Sequence, residues 1–402
     1  MKRNAGFSLI EVMVATVVLL IAVTATLKAL TDAVNANQGV ALMADTQENL
    51  RAAMNYMVRD IVQAGEGIPT GGITIPNNGL SAASASVAPP GGNSNLNRPG
   101  LSPTGLPIVQ FPSSYTTIPA ITPGSQVGEV EETPNPTGGT ITGPNTDIIT
   151  IIYADTTLQD TTTFPGTIHT LSEFPIYLAP TATGPGCNPA NANPAPAGSV
   201  TLAGSTLTVT FDPSCVNINT GNTGLHAGDL IMFQNASGMA LEVVSSVAGQ
   251  TVTFVGGDSY NLNNSGMPYG TMAQMESPLG SGAFPPTTAT RIWMITYYLD
   301  TQTNPIHPEL MRQVNFNVPT AVGEVIEDMS ISYDLTEPSL TPPVKSNQPT
   351  PLWPDTVAQI RKVNLTMYAR GETYSAFSKQ YFRNNLTTEV NIRNLSFFDQ
   401  FD

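Results

Sequence analysis

Lys2-Arg3-Asn4-Ala5-Gly6-Phe7-Ser8-Leu9-Ile10-Glu11 runs straight into Val12-Met13-Val14-Ala15-Thr16-Val17-Val18-Leu19-Leu20, and this junction decides how the chain is built. From Phe7 to Leu27 only Ser8, Glu11, Thr16, Thr24 and Thr26 break an apolar run. Wound as a helix, the run is about 30 Å long, the thickness of one bilayer core. Lys2 and Arg3 precede it, so the positive-inside rule keeps the N-terminus cytoplasmic and exports the remainder of the chain. Glu11 stands out because a charged side chain at the centre of a spanning helix costs about 2.5–3.5 kcal/mol on insertion scales. Such an acid is there to meet a partner charge. A secretory signal would need a small-residue cleavage site after the run, and Lys28-Ala29-Leu30-Thr31 offers none, so the segment is expected to stay on the protein.

The helix continues past the apolar run. No proline occurs before Pro69, and Leu50, Met54, Met57 and Ile61 recur on one face, with Arg51, Asn55 and Arg59 on another. Gly65, Gly67 and Pro69 end it. One helix of roughly 60 residues therefore begins in a membrane and ends packed on a head, and its methionine-bearing stripe is core.

Charged residues make up 11% of the 402, and Gly and Pro number 34 each, a mix suited to a β-rich or loop-rich extracytoplasmic protein. The net charge of −15 argues against nucleic acid as a partner and favours solubility. Cys187 and Cys215, in an exported chain, read as a disulfide.

Gly6-Phe7-Ser8-Leu9-Ile10-Glu11 resembles the prepilin peptidase site of type IV pilins and type II secretion pseudopilins. The resemblance implies cleavage between Gly6 and Phe7 by a prepilin peptidase, N-methylation of Phe7, and pairing of Glu11 with the Phe7 amine of a neighbouring subunit during assembly. Lys28 stands where major pilins often carry a helix-breaking proline. Residues 48–61, Glu327-Asp328-Met329 with Tyr333, Ile360-Arg361-Lys362-Val363 and Val390-Asn391-Ile392-Arg393-Asn394-Leu395 are similar to W-type minor pilins and J-type pseudopilins. The implied partners are other minor pilins or pseudopilins, the major pilin, the inner membrane and a tip adhesin. The implied function is that of a minor pilin priming a type IV pilus at or near its tip. The alternatives are a J-type pseudopilin of a type II secretion system and a pilin-anchored adhesin.

The fold class expected is α+β: the long helix packed on an antiparallel sheet head with a β-rich insertion. The organisation reads as a leader over 1–6, the spanning half of the helix over 7–30 and its amphipathic half over 31–67. A Pro/Gly/Asn-rich loop region occupies 68–145, a β-rich head 146–290 and a C-terminal antiparallel region 291–402. Asp147–Tyr153 reads as a buried strand, and Leu207, Val209 and Phe211 alternate with threonine. Segment 199–254 reads as a small β insertion. Arg291–Leu299 is apolar on both faces and suits a central strand, while Met329–Leu335 and Val363–Met367 alternate like half-buried strands.

Enzyme signatures are missing. The chain has no phosphate loop and no nucleophile elbow, and His169, His226 and His307 lack H-E-x-x-H spacing. Ca²⁺ is the one cofactor the sequence raises, through Asn217, Asn219, Asn222 and Asp229 or through Asp258 and Asn261. The spacing departs from a calcium loop, and solvated turns are expected there.

Overall fold

A computed structural model describes residues 8–77, 116–134, 140–155, 176–178, 198–211, 218, 224–258, 262–276, 284–315, 317–351, 356–374, 380–392 and 394–395. One helix, Leu9–Gln63, opens the described chain without a break. Every residue from Leu9 to Val34 is exposed, and the face that meets the head begins at Asn35 and Gly39. The expected stripe is the buried one: Leu50, Met54, Met57 and Ile61 are all at most 4% exposed.

The head is antiparallel throughout, as the α+β expectation requires. Strand Thr287–Asp300 is its spine. Ile176–Leu178 and Leu230–Asn235 pair with its first half, and Ile148–Ala154 and Glu309–Val314 with its second. Gly238–Val243, Thr320–Glu324 and Ile121–Gly124 extend this sheet outward. A second sheet runs Val344–Gln348, Ile326–Thr336, Ile360–Arg370, Arg383–Asn391. In it Met329 faces Met367, Ile331 faces Leu365 and Tyr333 faces Val363. These six side chains are buried together with the helix stripe and with Ile149, Ile151, Ile295 and Tyr297 of the central sheet. Asp147 ties the two sheets, its carboxylate accepting the Gln126 and Ile331 N–H groups at 2.7 Å each.

Segment 199–254 does not form one insertion. Gly198–Ala203, Thr206–Phe211, Thr251–Val255 and Ser246–Ala248 make a four-stranded sheet of their own, whereas Leu230–Asn235 and Gly238–Val243 belong to the central sheet. The physical reason lies in burial. Val209, Phe211, Val252 and Phe254 alternate with threonine and bury one face, but Leu230-Ile231-Met232-Phe233 is buried on both. Ile231 and Phe233 pack under the small sheet, while Leu230 and Met232 join a separate core with Ile152, Ile292 and Met294. A strand covered on both faces is an internal one.

The loop reading of 68–145 also gives way in part. Ile73–Thr74 pairs with Thr117–Ile118, and Val130–Pro134 forms a hairpin with Thr140–Asn145. Ile73, Ile75, Ile118 and Ile121 are buried. Strands of two residues show no periodicity, so proline and glycine dominated the sequence signal. Residues 78–115 and 135–139 lie outside the described part.

Among the described residues, no cation stands beside one buried carboxyl of the central sheet. Glu242 is 4% exposed, accepts the Met272 N–H and stands near Asp258; burial first, and Asp258 second, hold it well above the usual carboxylate range. A group whose folded pKa is raised adds stability that is complete below its unfolded value and fades as pH rises through the folded one. Glu242→Gln is therefore expected to raise Tm at neutral pH and to flatten the gain in Tm on mild acidification, read by thermal scans across that range.

Candidate functional site

The N-terminal helix is the candidate site. Its spanning segment hides its polar groups. Thr16 Oγ donates to Met13 O at 2.8 Å, Thr24 Oγ to Leu20 O at 2.7 Å, and Thr26 Oγ to Val23 O at 2.9 Å. Each hydroxyl is satisfied inside the helix, the requirement in hydrocarbon. Between Leu9 and Leu27 this leaves Glu11 as the lone ionisable side chain.

Glu11 sits in the first turn and closes a capping box. Ser8 Oγ accepts the Glu11 N–H at 3.3 Å, and the Glu11 carboxylate accepts the Ser8 N–H at 2.9 Å. The carboxylate thus folds back toward the helix N-terminus, where the backbone dipoles leave positive charge. The sequence carried this signal as Ser8-x-x-Glu11, a spacing overshadowed by the charge of Glu11 itself. Gly6, Phe7, Cys187 and Cys215 lie outside the described residues.

The other end of the helix is locked to the head by polar contacts that no motif announced. Asp60, 1% exposed, accepts the Tyr297 hydroxyl at 2.6 Å and Arg312 Nε at 2.7 Å. Burial, then the charge of Asp60, keeps the Tyr297 and Tyr153 hydroxyls protonated far above their ordinary range. Burial works against the Arg312 charge, but its hydrogen bond to Asp60 and the charge of that carboxylate prevail. Nearer the membrane, the Asn49 amide forks onto the main chain of Glu324, donating to its carbonyl at 2.5 Å and accepting its N–H at 3.3 Å. This side chain continues the ladder of the edge strand Thr320–Glu324. Gly323 permits the approach, since a Cβ there would lie 2.8 Å from Ala53 Cβ.

Removing one partner of a buried pair leaves the other charge uncompensated, a loss of about 3–5 kcal/mol. Asp60→Ala is expected to lose stability in that range, measured by denaturant titration of the full chain in detergent. Arg59→Ala, whose side chain is 61% exposed and 3.6 Å from Asp60, should change it by about 0.5 kcal/mol or less.

The calcium candidates have other engagements. Asp229 accepts the His226 N–H at 2.9 Å and faces the buried Arg291 guanidinium at 3.7 Å. Asp258 accepts the Leu262 and Asn263 N–H groups at 3.1 and 2.8 Å. Asn217, Asn219, Asn222 and Asn261 lie outside the described residues, as does His169.

Residues 1–27 match the family model of the prokaryotic N-terminal methylation motif. No curated protein and no solved structure matches the chain. The motif supports a type IV pilin-like protein, and the helix with its apolar first half and the antiparallel head are consistent with it. The motif implies processing by a prepilin peptidase and assembly with other pilins. The helix is long and apolar enough to cross a membrane.

Proposed function

We propose that this chain is a W-type minor pilin that primes assembly of a type IV pilus and stays at or near its tip. In this reading the leader is cut between Gly6 and Phe7, the Phe7 amine is methylated, and the helix remains in the inner membrane with the head outside. Glu11 then sets register by pairing with a neighbour's Phe7 amine, two charges neutralising each other in hydrocarbon. Cys187 and Cys215 close a disulfide outside the membrane. The head contributes by docking other minor pilins.

The observation that carries the reading is the bulk of the head. The helix needs one core to seat it, formed with the central and C-terminal sheets. This chain adds a four-stranded sheet with a core of its own on the far part of the central sheet. Such mass obstructs helical stacking if repeated along a filament and is tolerated once, at an end. The same helix suits a J-type pseudopilin or an anchored adhesin.

A clean deletion with complementation separates the readings, with sheared surface filaments and secreted proteins quantified in the same cultures. Loss of filaments with normal secretion supports the minor pilin. Normal filaments with stalled secretion overturn it in favour of the pseudopilin.

A further inference from the structure

The outer face of the C-terminal sheet is polar, and across most of it the polar groups use one another. Thr366 and Thr387 share a hydrogen bond at 3.1 Å. Lys362 lies between Asp334 and Glu389 at 2.9 Å from each. Asn364 donates to Asp334 at 2.8 Å and to Asn347 at 3.2 Å.

One cross-strand row departs from this. Asp328, Tyr368 and Asn385 stand opposite one another on three adjacent strands. Among the described residues Asp328 makes no ion pair, and neither the Tyr368 hydroxyl nor the Asn385 side-chain amide makes a hydrogen bond. Tyr368 is 42% exposed. Burial raises the Asp328 carboxyl above its ordinary range, against the Met329 N–H that it accepts.

The row forms the floor of a groove of about 540 Å³, walled by Glu131 and Ile141 of the hairpin and by Arg383 and Asn384 of the edge strand. Gly143 leaves the room for Glu131, whose carboxylate occupies the space a Cβ would take. The volume lies within the roughly 300–1,000 Å³ of small-ligand sites. Arg383 is held on the wall by Glu327, which accepts its Nε at 2.8 Å and its terminal nitrogen at 3.2 Å. Beneath, the buried Arg370 pairs with the same Glu327 at 3.0 Å. The wall is therefore fixed, with both guanidinium groups committed to Glu327.

From this juxtaposition we propose that the groove over Asp328, Tyr368 and Asn385 binds a neutral pyranose unit of a polysaccharide. An exposed ring with a negative face attracts the polarised C–H face of a sugar. Carboxylates that only accept, an arginine that only donates and amides that do both surround it. A ligand that is apolar on its faces and both donor and acceptor on its rim matches this set. A cationic side chain would confront Arg383, and an anionic ligand would confront Glu131 and Asp328. The inference is independent of whether the filament is a pilus or a pseudopilus.

The test uses the full mature chain in a detergent without a sugar headgroup. Cello-, chito-, manno- and maltotetraose are titrated, with tetralysine as a charged comparison. Binding of at least one sugar is expected, weakened at least tenfold by Tyr368→Ala and by Asp328→Ala with Tm unchanged. Thr366→Ala, one row away, should leave it intact. Absence of sugar binding at millimolar concentration, binding that survives Tyr368→Ala, or preference for tetralysine overturns the proposal.

Discussion

Glu11→Leu leaves the chain in the membrane and removes it from filaments. Insertion becomes easier, because the substitution deletes the one charge in the run, although in the first turn the cost relieved is smaller than the roughly 2.5–3.5 kcal/mol of a helix centre. Under the proposed pairing assembly becomes harder, because a neighbour's Phe7 amine would then enter the helix bundle without a counter-charge. The loss of about 3–5 kcal/mol for such a broken pair is about two to four orders of magnitude in association. Incorporation, read as the ratio of this chain in sheared filaments to that in membranes, should fall at least hundredfold. The capping box adds a local effect: leucine cannot accept the Ser8 N–H, and the first turn frays. Glu11→Gln distinguishes the two roles, since its side-chain oxygen can still accept the Ser8 N–H but carries no charge. Incorporation of Glu11→Gln at the normal level would show that the cap, not the charge, is what assembly requires.

Gly6→Val has an equally large effect by another route. A branched side chain at the residue before the cut blocks the peptidase, and the precursor keeps Lys2 and Arg3. Phe7 then has a peptide nitrogen and no amine to offer a neighbouring Glu11. The variant should accumulate uncleaved in the membrane, unmethylated and absent from filaments. A normal mature mass for Gly6→Val would contradict the processing assigned here.

The sequence disclosed the helix and its buried stripe because a 3.6-residue period sustained over many turns is hard to mistake. The paired strands around Met329–Leu335 and Val363–Met367 were equally legible, since each alternates over its length. Asp60 was not. It lies on the buried side between Met57 and Ile61, where an acid reads as a solvated residue until Tyr297 and Arg312 come to meet it from more than 200 residues away. The sheet that Leu230–Phe233 enters has no sequence signal, because a short apolar run says that a strand is buried, not which sheet it joins. The groove over Tyr368 had no sequence signature either: its floor combines three strands, and its walls belong to a hairpin and an edge strand.

On the proposed function the N-terminus is that of an assembled pilin-like subunit. The intact mass of the wild-type chain, purified from membranes and from filaments, tests this most directly. A chain that begins at Phe7 and carries one added methyl group is the predicted result. A chain that still begins at Met1, or one cut beyond Leu30 so that the apolar helix is lost, would contradict it.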